Sequence, residues 1–318
     1  MKNYFRWIFL LFILLIILLI RVVKRSYYFS KQIFKNKEVV EVEFNSLDNK
    51  KINIVKLDKS WVVKTPFKEY KPNEGLVKEI FEKIKNFELL EIITNNPQNY
   101  SDYLVNTESA TVVKIFFKKE KKPRILYLGK IGGFSFNEIY IRIENDPNVY
   151  LAKGIASTNF RNYFYEFCDK TLLKSNTEEI NSLEISFQKK IMNLKKELKN
   201  GTTTWIDLKT NRNIDVQKVE NFLRLFLIFT SDVILEEEID YNKLKEDFKI
   251  LLNFKENANV EITFFKEQKL RDFPVYPVKI KYTNRSPSIE TIGDVETLYG
   301  VYKYKYDDFT QRITPFFN

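Results

Sequence analysis

The chain opens with an apolar run and then changes period several times. Trp7 to Ile20 carries no polar side chain, and Arg21 precedes Val22 and Val23. Such a run is apolar on every face, so it predicts a helix that lies in lipid, not an amphipathic surface helix. With Arg6 and Arg21 reaching outward and Tyr4, Trp7, Tyr27 and Tyr28 at the two interfaces, residues 4–25 are expected to form one transmembrane helix. The stretch after it lacks an Ala-x-Ala pattern, which argues against a cleaved leader.

Beyond residue 38 the pattern turns to period two. Residues 39–57 alternate across a turn at Asp48–Asn49 and predict a β-hairpin. A short strand, 61–64, ends before Pro66. Residues 73–87 carry apolar side chains at 76, 77, 80, 81, 84 and 87, which predicts a helix capped by Asn73. Strands are expected at 89–94, 111–117, 124–128, 138–143 and 149–152. Phe160, Phe164, Phe167, Cys168 and Leu172 predict a second amphipathic helix over about 159–173.

The order then recurs. Residues 183–187 match the opening strand, 204–208 with Trp205 match 61–64 with Trp61, and a long helix over 214–230 matches 73–87. Residues 233–237 match 89–93, 260–265 match 112–117, 275–282 match the strand at Arg124, and 298–303 match 149–152. Recurrence at a steady offset predicts a tandem duplication. The expected organisation is an anchor and basic segment (1–37), a first repeat (38–175) and a second, divergent repeat (176–318). The expected fold class is α+β: two repeats, each a mainly antiparallel sheet on a long helix, plus the N-terminal transmembrane helix.

Charge sharpens this picture. The net charge is +10, yet residues 1–37 hold eight Lys and Arg and no acidic residue, so the body is nearly neutral. The charge is therefore a collar around the apolar run, not a nucleic-acid footprint. Counting positive charge on the two flanks favours a cytoplasmic body, but a short anchor with basic residues on both sides gives a weak orientation signal. The chain has no His and one Cys, Cys168. Histidine-dependent nucleophile systems, a His zinc site and a disulfide framework are excluded.

Several motifs resemble a known family when taken together. Lys59–Ser60–Trp61–Val62–Val63–Lys64–Thr65–Pro66, the helix 73–87, Ile125–Leu126–Tyr127–Leu128–Gly129–Lys130 and Pro147–Asn148–Val149–Tyr150–Leu151 follow the pattern of the bacterial "domain of unknown function 4340" family. Tyr103–Leu104–Val105–Asn106 stands where that family usually has a Tyr-Gly-Leu segment. The resemblance implies one N-terminal membrane helix and extracytoplasmic domains, with some relatives linked to ABC-type transport of the gliding-motility or polysaccharide-export kind. It carries no catalytic residues.

Candidate chemistry is thin. Gly129–Lys130–Ile131–Gly132–Gly133 has the wrong order for a phosphate loop. Glu236, Glu237, Glu238 and Asp240 lack calcium-loop spacing. Lys118, Lys119, Lys121 and Lys122 read as a charged hairpin tip. No catalytic residue, cofactor site or metal site is expected. Trp61, Trp205, Tyr302, Tyr304 and Tyr306 are the candidate partner-binding residues, read either as core aromatics or as an exposed interface. The expected function is a non-enzymatic accessory protein of the inner membrane that docks on a transport or envelope complex, with extracytoplasmic polysaccharide or cell-wall binding as the alternative.

Overall fold

The computed structural model describes residues 31–318 apart from 59, 133–136, 200, 236–238, 285 and 318; of residues 1–30 it describes Ile13, Ile16 and Ile17, which are helical. The expected transmembrane helix over 4–25 otherwise lies outside the described residues, as does the acidic run 236–238. Among the described residues no helix is long and apolar enough to cross a membrane. The chain divides into two compact units, Met1–Asp169 and Lys170–Asn318.

The first unit is built on one antiparallel sheet. Its strands are β1 (Val39–Asn45), β2 (Lys51–Leu57), β3 (Ser60–Lys64), β4 (Glu69–Tyr70), β5 (Glu88–Thr94), β6 (Thr111–Phe117), β7 (Arg124–Ile131), β8 (Glu138–Ile143) and β9 (Val149–Lys153). They lie in the order β4-β3-β2-β1-β6-β7-β8-β9-β5. Alternation puts Val42, Phe44, Ile52, Ile54, Val113, Ile115, Ile139 and Ile141 in the core. Helix α1 (Glu74–Asn86) joins β4 to β5. Asn73 caps it by accepting from the Leu76 N–H at 3.3 Å, Glu74 sits in its first turn, and Lys83 and Lys85 sit in its last. Val77, Ile80 and Ile84 form its buried stripe.

The second unit holds β10 (Thr171–Ser175), β11 (Ile180–Phe187), β12 (Lys190–Lys199), β13 (Thr202–Asp207), β14 (Arg212–Ile214), β15 (Ile228–Thr230), β16 (Val233–Leu235), β17 (Glu246–Phe254), β18 (Asn259–Phe265), β19 (Gln268–Leu270), β20 (Phe273–Thr283), β21 (Ile289–Ile292) and β22 (Leu298–Tyr302). Its large sheet runs β14-β13-β12-β11-β17-β18-β20-β22-β16, with β19 paired to β20, and β15-β10-β21 form a small sheet. Helices α2 (Val216–Leu223) and α3 (Lys303–Ile313) complete it. Strand by strand, the order of the large sheet repeats that of the first unit. That order matches β17 to β6 and β18 to β7. The sequence-based matching omitted Glu246–Phe254 and was therefore one strand out of step from there to β20.

The expected fold class is overturned. The protein is mostly antiparallel sheet, and neither sheet lies on a long helix. Three stretches account for the difference. Residues 159–173 form no helix: they make 3-10 turns at Ser157–Asn159 and Phe164–Phe167 and then enter β10. Their backbone pairs elsewhere, since the Asn73 N–H donates to the Phe167 carbonyl and the Asp169 N–H to that of Lys71. The rings of Phe160 and Phe167 both pack edge-on against Phe44. The helix expected over 214–230 stops at Leu223, passes through a 3-10 turn at Arg224–Phe226 and becomes β15. Strand β15 pairs with β10, and its Phe229 packs on Phe264 and Phe309. At the C-terminus the strand expected through Lys303 gives way to α3, whose Phe309 and Ile313 are buried.

Candidate functional site

The two candidate tryptophans occupy equivalent places. Trp61 on β3 stands opposite Lys56 on β2, and Trp205 on β13 stands opposite Lys196 on β12. Each strand pair thus sets an indole beside a lysine on one face of the sheet. Each indole is also covered by the helix of its own unit. Trp61 stacks on Phe81 of α1 with ring centroids 3.9 Å apart, and is half-buried. Trp205 is 1% exposed and borders a cleft shared with Glu220 and Leu223 of α2.

That cleft in the second unit has a volume of about 320 Å³. Trp205 and Leu223 form its apolar floor, and Lys196, Glu220, Arg224 and Leu227 border it. Lys196 is held in place, with its Nζ donating to the Glu178 carbonyl at 2.7 Å. Asn176 fixes the turn beneath by accepting from the Glu178 N–H at 3.1 Å. Leu227 is 46% exposed. Leu198, two residues beyond Lys196 on β12 and so on the same face, is 75% exposed. The arrangement is a buried aromatic floor, exposed aliphatic side chains and charges of both signs.

The three candidate tyrosines, Tyr302, Tyr304 and Tyr306, do not lie together on one face. Tyr302 ends β22, and its N–H donates to Asp232 at 2.8 Å. Tyr304 is 61% exposed, and its hydroxyl donates to the same carboxylate at 2.6 Å. Lys305 completes the set, with Nζ 2.8 Å from Asp232. Asp232 therefore latches the start of α3. Tyr306 turns the other way and stacks on Tyr276, with its hydroxyl donating to Asp247. Burial, reinforced by Glu267, pushes the Tyr276 hydroxyl up to about 12; burial and Asp247 push that of Tyr306 higher still. These groups hold their protons, which suits a structural role.

A second cleft, of about 340 Å³, lies in the first unit. Asn45, Ser46, Asn49, Thr107, Glu108, Ser109, Thr111 and Arg161 supply its polar lining. Among the described residues no aromatic ring lines it. Gly129 lies elsewhere in the same unit: a Cβ there would stand 2.2 Å from the Tyr103 carbonyl and 2.8 Å from Val105. The glycine of the Tyr-Leu-Gly-Lys motif is thus required by the close approach of the 100–105 loop to β7, with no anion cradle involved. Cys168 is buried. Among the described residues no His, Cys, Asp and Glu grouping could hold a metal ion.

Sequence reasoning found Trp205 but missed Lys196, Leu198 and Leu227. A usable signal was present. The Asn-Gly dipeptide at 200–201 in the sequence favours two-residue hairpin turns, Gly201 has φ +77°, and Lys199 pairs with Thr202. Reading it would have set β12 against β13 and placed Lys196 beside Trp205.

The family described as "Domain of unknown function (DUF4340)" matches residues 61–246, more than half of the chain. The chain belongs to the DUF4340 family. The matched region starts at Trp61 itself and ends where β17 begins, so DUF4340 membership takes in both tryptophans, α1, α2 and the second-unit cleft. An uncharacterized protein of Treponema pallidum (strain Nichols) is 24% identical over 121 residues, a match that covers 38% of this chain and 38% of that relative. No solved structure matches.

Proposed function

We propose that this DUF4340 protein is a non-catalytic accessory protein, held at the inner membrane by residues 4–25, that docks on a transport or cell-envelope complex from the extracytoplasmic side. The observation that carries the reading is the second-unit cleft. Its floor of Trp205 and Leu223, its exposed Leu198 and Leu227, and its rim of Lys196, Glu220 and Arg224 reproduce the apolar centre and charged margin of a docking surface. A membrane tether favours such docking by raising the local concentration of the partner. Crosslinking in intact membranes, followed by extraction in mild detergent, should recover a membrane protein in fixed ratio to this chain. Recovery of the lone chain, with and without crosslinker, would count against docking. A reporter fused after Asn318 should be active on the extracytoplasmic side.

A second reading, polysaccharide or cell-wall binding, draws support from the amide, hydroxyl, carboxylate and guanidinium lining of the first-unit cleft. It lacks a ring at that cleft for a sugar to stack on. Chemical-shift changes at Asn45, Thr107 and Ser109 with glycan fragments would favour it over docking.

A further inference from the structure

The segment that leads from the apolar run into the first unit is fastened to it by backbone pairing at Lys31, by Gln32, whose Nε2 donates to the Asn86 carbonyl and to Glu88, and by the buried ring of Phe34. Lys31 pairs with Leu89 at the start of β5 through two backbone hydrogen bonds of 3.2 and 3.3 Å. Phe34 is 3% exposed. Its ring meets Phe87, just past α1, at 5.5 Å, and Phe117, at the base of the β6–β7 turn, at 4.9 Å. The last turn of α1 and the tip of the β6–β7 hairpin therefore flank the point where the chain enters the unit.

The surface around Phe34 is basic. Lys31, Lys35, Lys85, Lys119, Lys121 and Lys122 are exposed and make no ion pair or side-chain hydrogen bond among the described residues. Their neighbours are neutralised: Lys37 pairs with Glu120, Lys118 with Glu38, and Lys83 with Glu79. The unpaired positive charge thus lies on the entering segment, the last turn of α1 and the β6–β7 tip. Eight residue steps separate Val23 from Lys31, at most about 28 Å of extended chain.

We propose that this surface of the first unit docks on anionic lipid headgroups and fixes the orientation of the unit at the bilayer. The inference rests on the reading that residues 4–25 are a membrane helix. Clusters of four to eight basic side chains beside such a helix bind anionic lipid, each contributing about fivefold to the docked-to-free ratio. A nucleic-acid surface is disfavoured because the nearby rings of Phe34, Phe87 and Phe117 are buried and offer no stacking platform.

The test uses the full chain in vesicles, with a fluorophore on Asn36→Cys; the native Cys168 is buried. Quencher is carried on lipid headgroups. A second probe on Gln98→Cys lies past the far end of β5, about 20 Å from Lys31 at the usual strand rise. The Asn36 probe should be quenched in vesicles containing phosphatidylglycerol and much less in neutral phosphatidylcholine. The Gln98 probe should not respond. Quenching should fall toward 1 M salt, where the screening length is about 3 Å. The K119Q/K121Q/K122Q variant should lower the docked-to-free ratio by about 100-fold. Equal quenching in neutral and anionic vesicles, no effect of the triple variant, or a response to added single-stranded nucleic acid in place of lipid would overturn the proposal. A chain that fails to float with either vesicle would overturn the membrane-helix reading itself, and the lipid proposal with it.

Discussion

The ring of Tyr276 stacks on that of Tyr306, with centroids 3.7 Å apart and 13° between their planes. Their hydroxyls donate to Glu267 and Asp247. Both ionise above the ordinary tyrosine value of 10.0, with Tyr276 at about 12. The unfolded chain releases these protons first, so the stabilisation is complete below about pH 10 and is lost as pH rises through about 12. Thermal unfolding followed across that range should show a steep loss of stability. Y276F/Y306F, which keeps both rings, should flatten that loss relative to wild type.

Gly129→Ala should destabilise the first unit, because its Cβ would meet the Tyr103 carbonyl. Gly300→Ala should do the same in the second unit, where a Cβ would lie 2.6 Å from Val275 and 2.8 Å from Val233. Overpacking of this kind costs about 1–3 kcal/mol. Urea unfolding of each variant checks it, and unchanged midpoints would contradict the close packing.

Trp205→Ala should cost about 3–5 kcal/mol, the range for a fully buried large aromatic. Trp61→Ala should cost less. Its indole is half-buried, and it loses a stack on Phe81 worth about 0.5–1.5 kcal/mol beyond the area term. The order of the two denaturation midpoints is the readout.

Phe34→Ala should release the segment that enters the first unit. Its ring is buried between Phe87 and Phe117, so truncation should cost about 3–5 kcal/mol and open the neighbouring backbone. Limited trypsin digestion should then cut after Lys31, Lys35 or Lys37 well before the rest of the chain. Protection equal to wild type would mean that Phe34 does not hold the segment.

Much of the sheet was legible because its period is clean. Ile139 and Ile141 alternate with Glu138, Tyr140 and Arg142, and β8 forms there. Asn73 and the stripe at 77, 80 and 84 specify α1. The failures share a cause: aromatic residues whose spacing fits two periods. Phe160, Phe164 and Phe167 match a helical stripe, yet they cap the sheet from short turns while their backbone pairs with residues 71–73. Tyr302, Tyr304 and Tyr306 alternate like a strand, but Tyr306, Phe309 and Ile313 carry the helical period that α3 adopts. At the candidate site, Trp205 was visible as a residue. Its cleft was not, because Lys196 and Leu198 lie in a lysine-rich stretch whose strand character depends on pairing with β11 and β13.

The docking account is tested most directly by a photocrosslinking amino acid placed in the full chain in native membranes, once at Leu198 and once at Phe67. Both side chains are exposed, at 75% and 68%, but only Leu198 lies on the same face of β12 as Lys196 of the second-unit cleft. The account predicts one adduct of constant mass from position 198, lost when Leu227→Asp puts a charge at the cleft, and none from position 67. Equal yields at the two positions, or no adduct at 198, would contradict it.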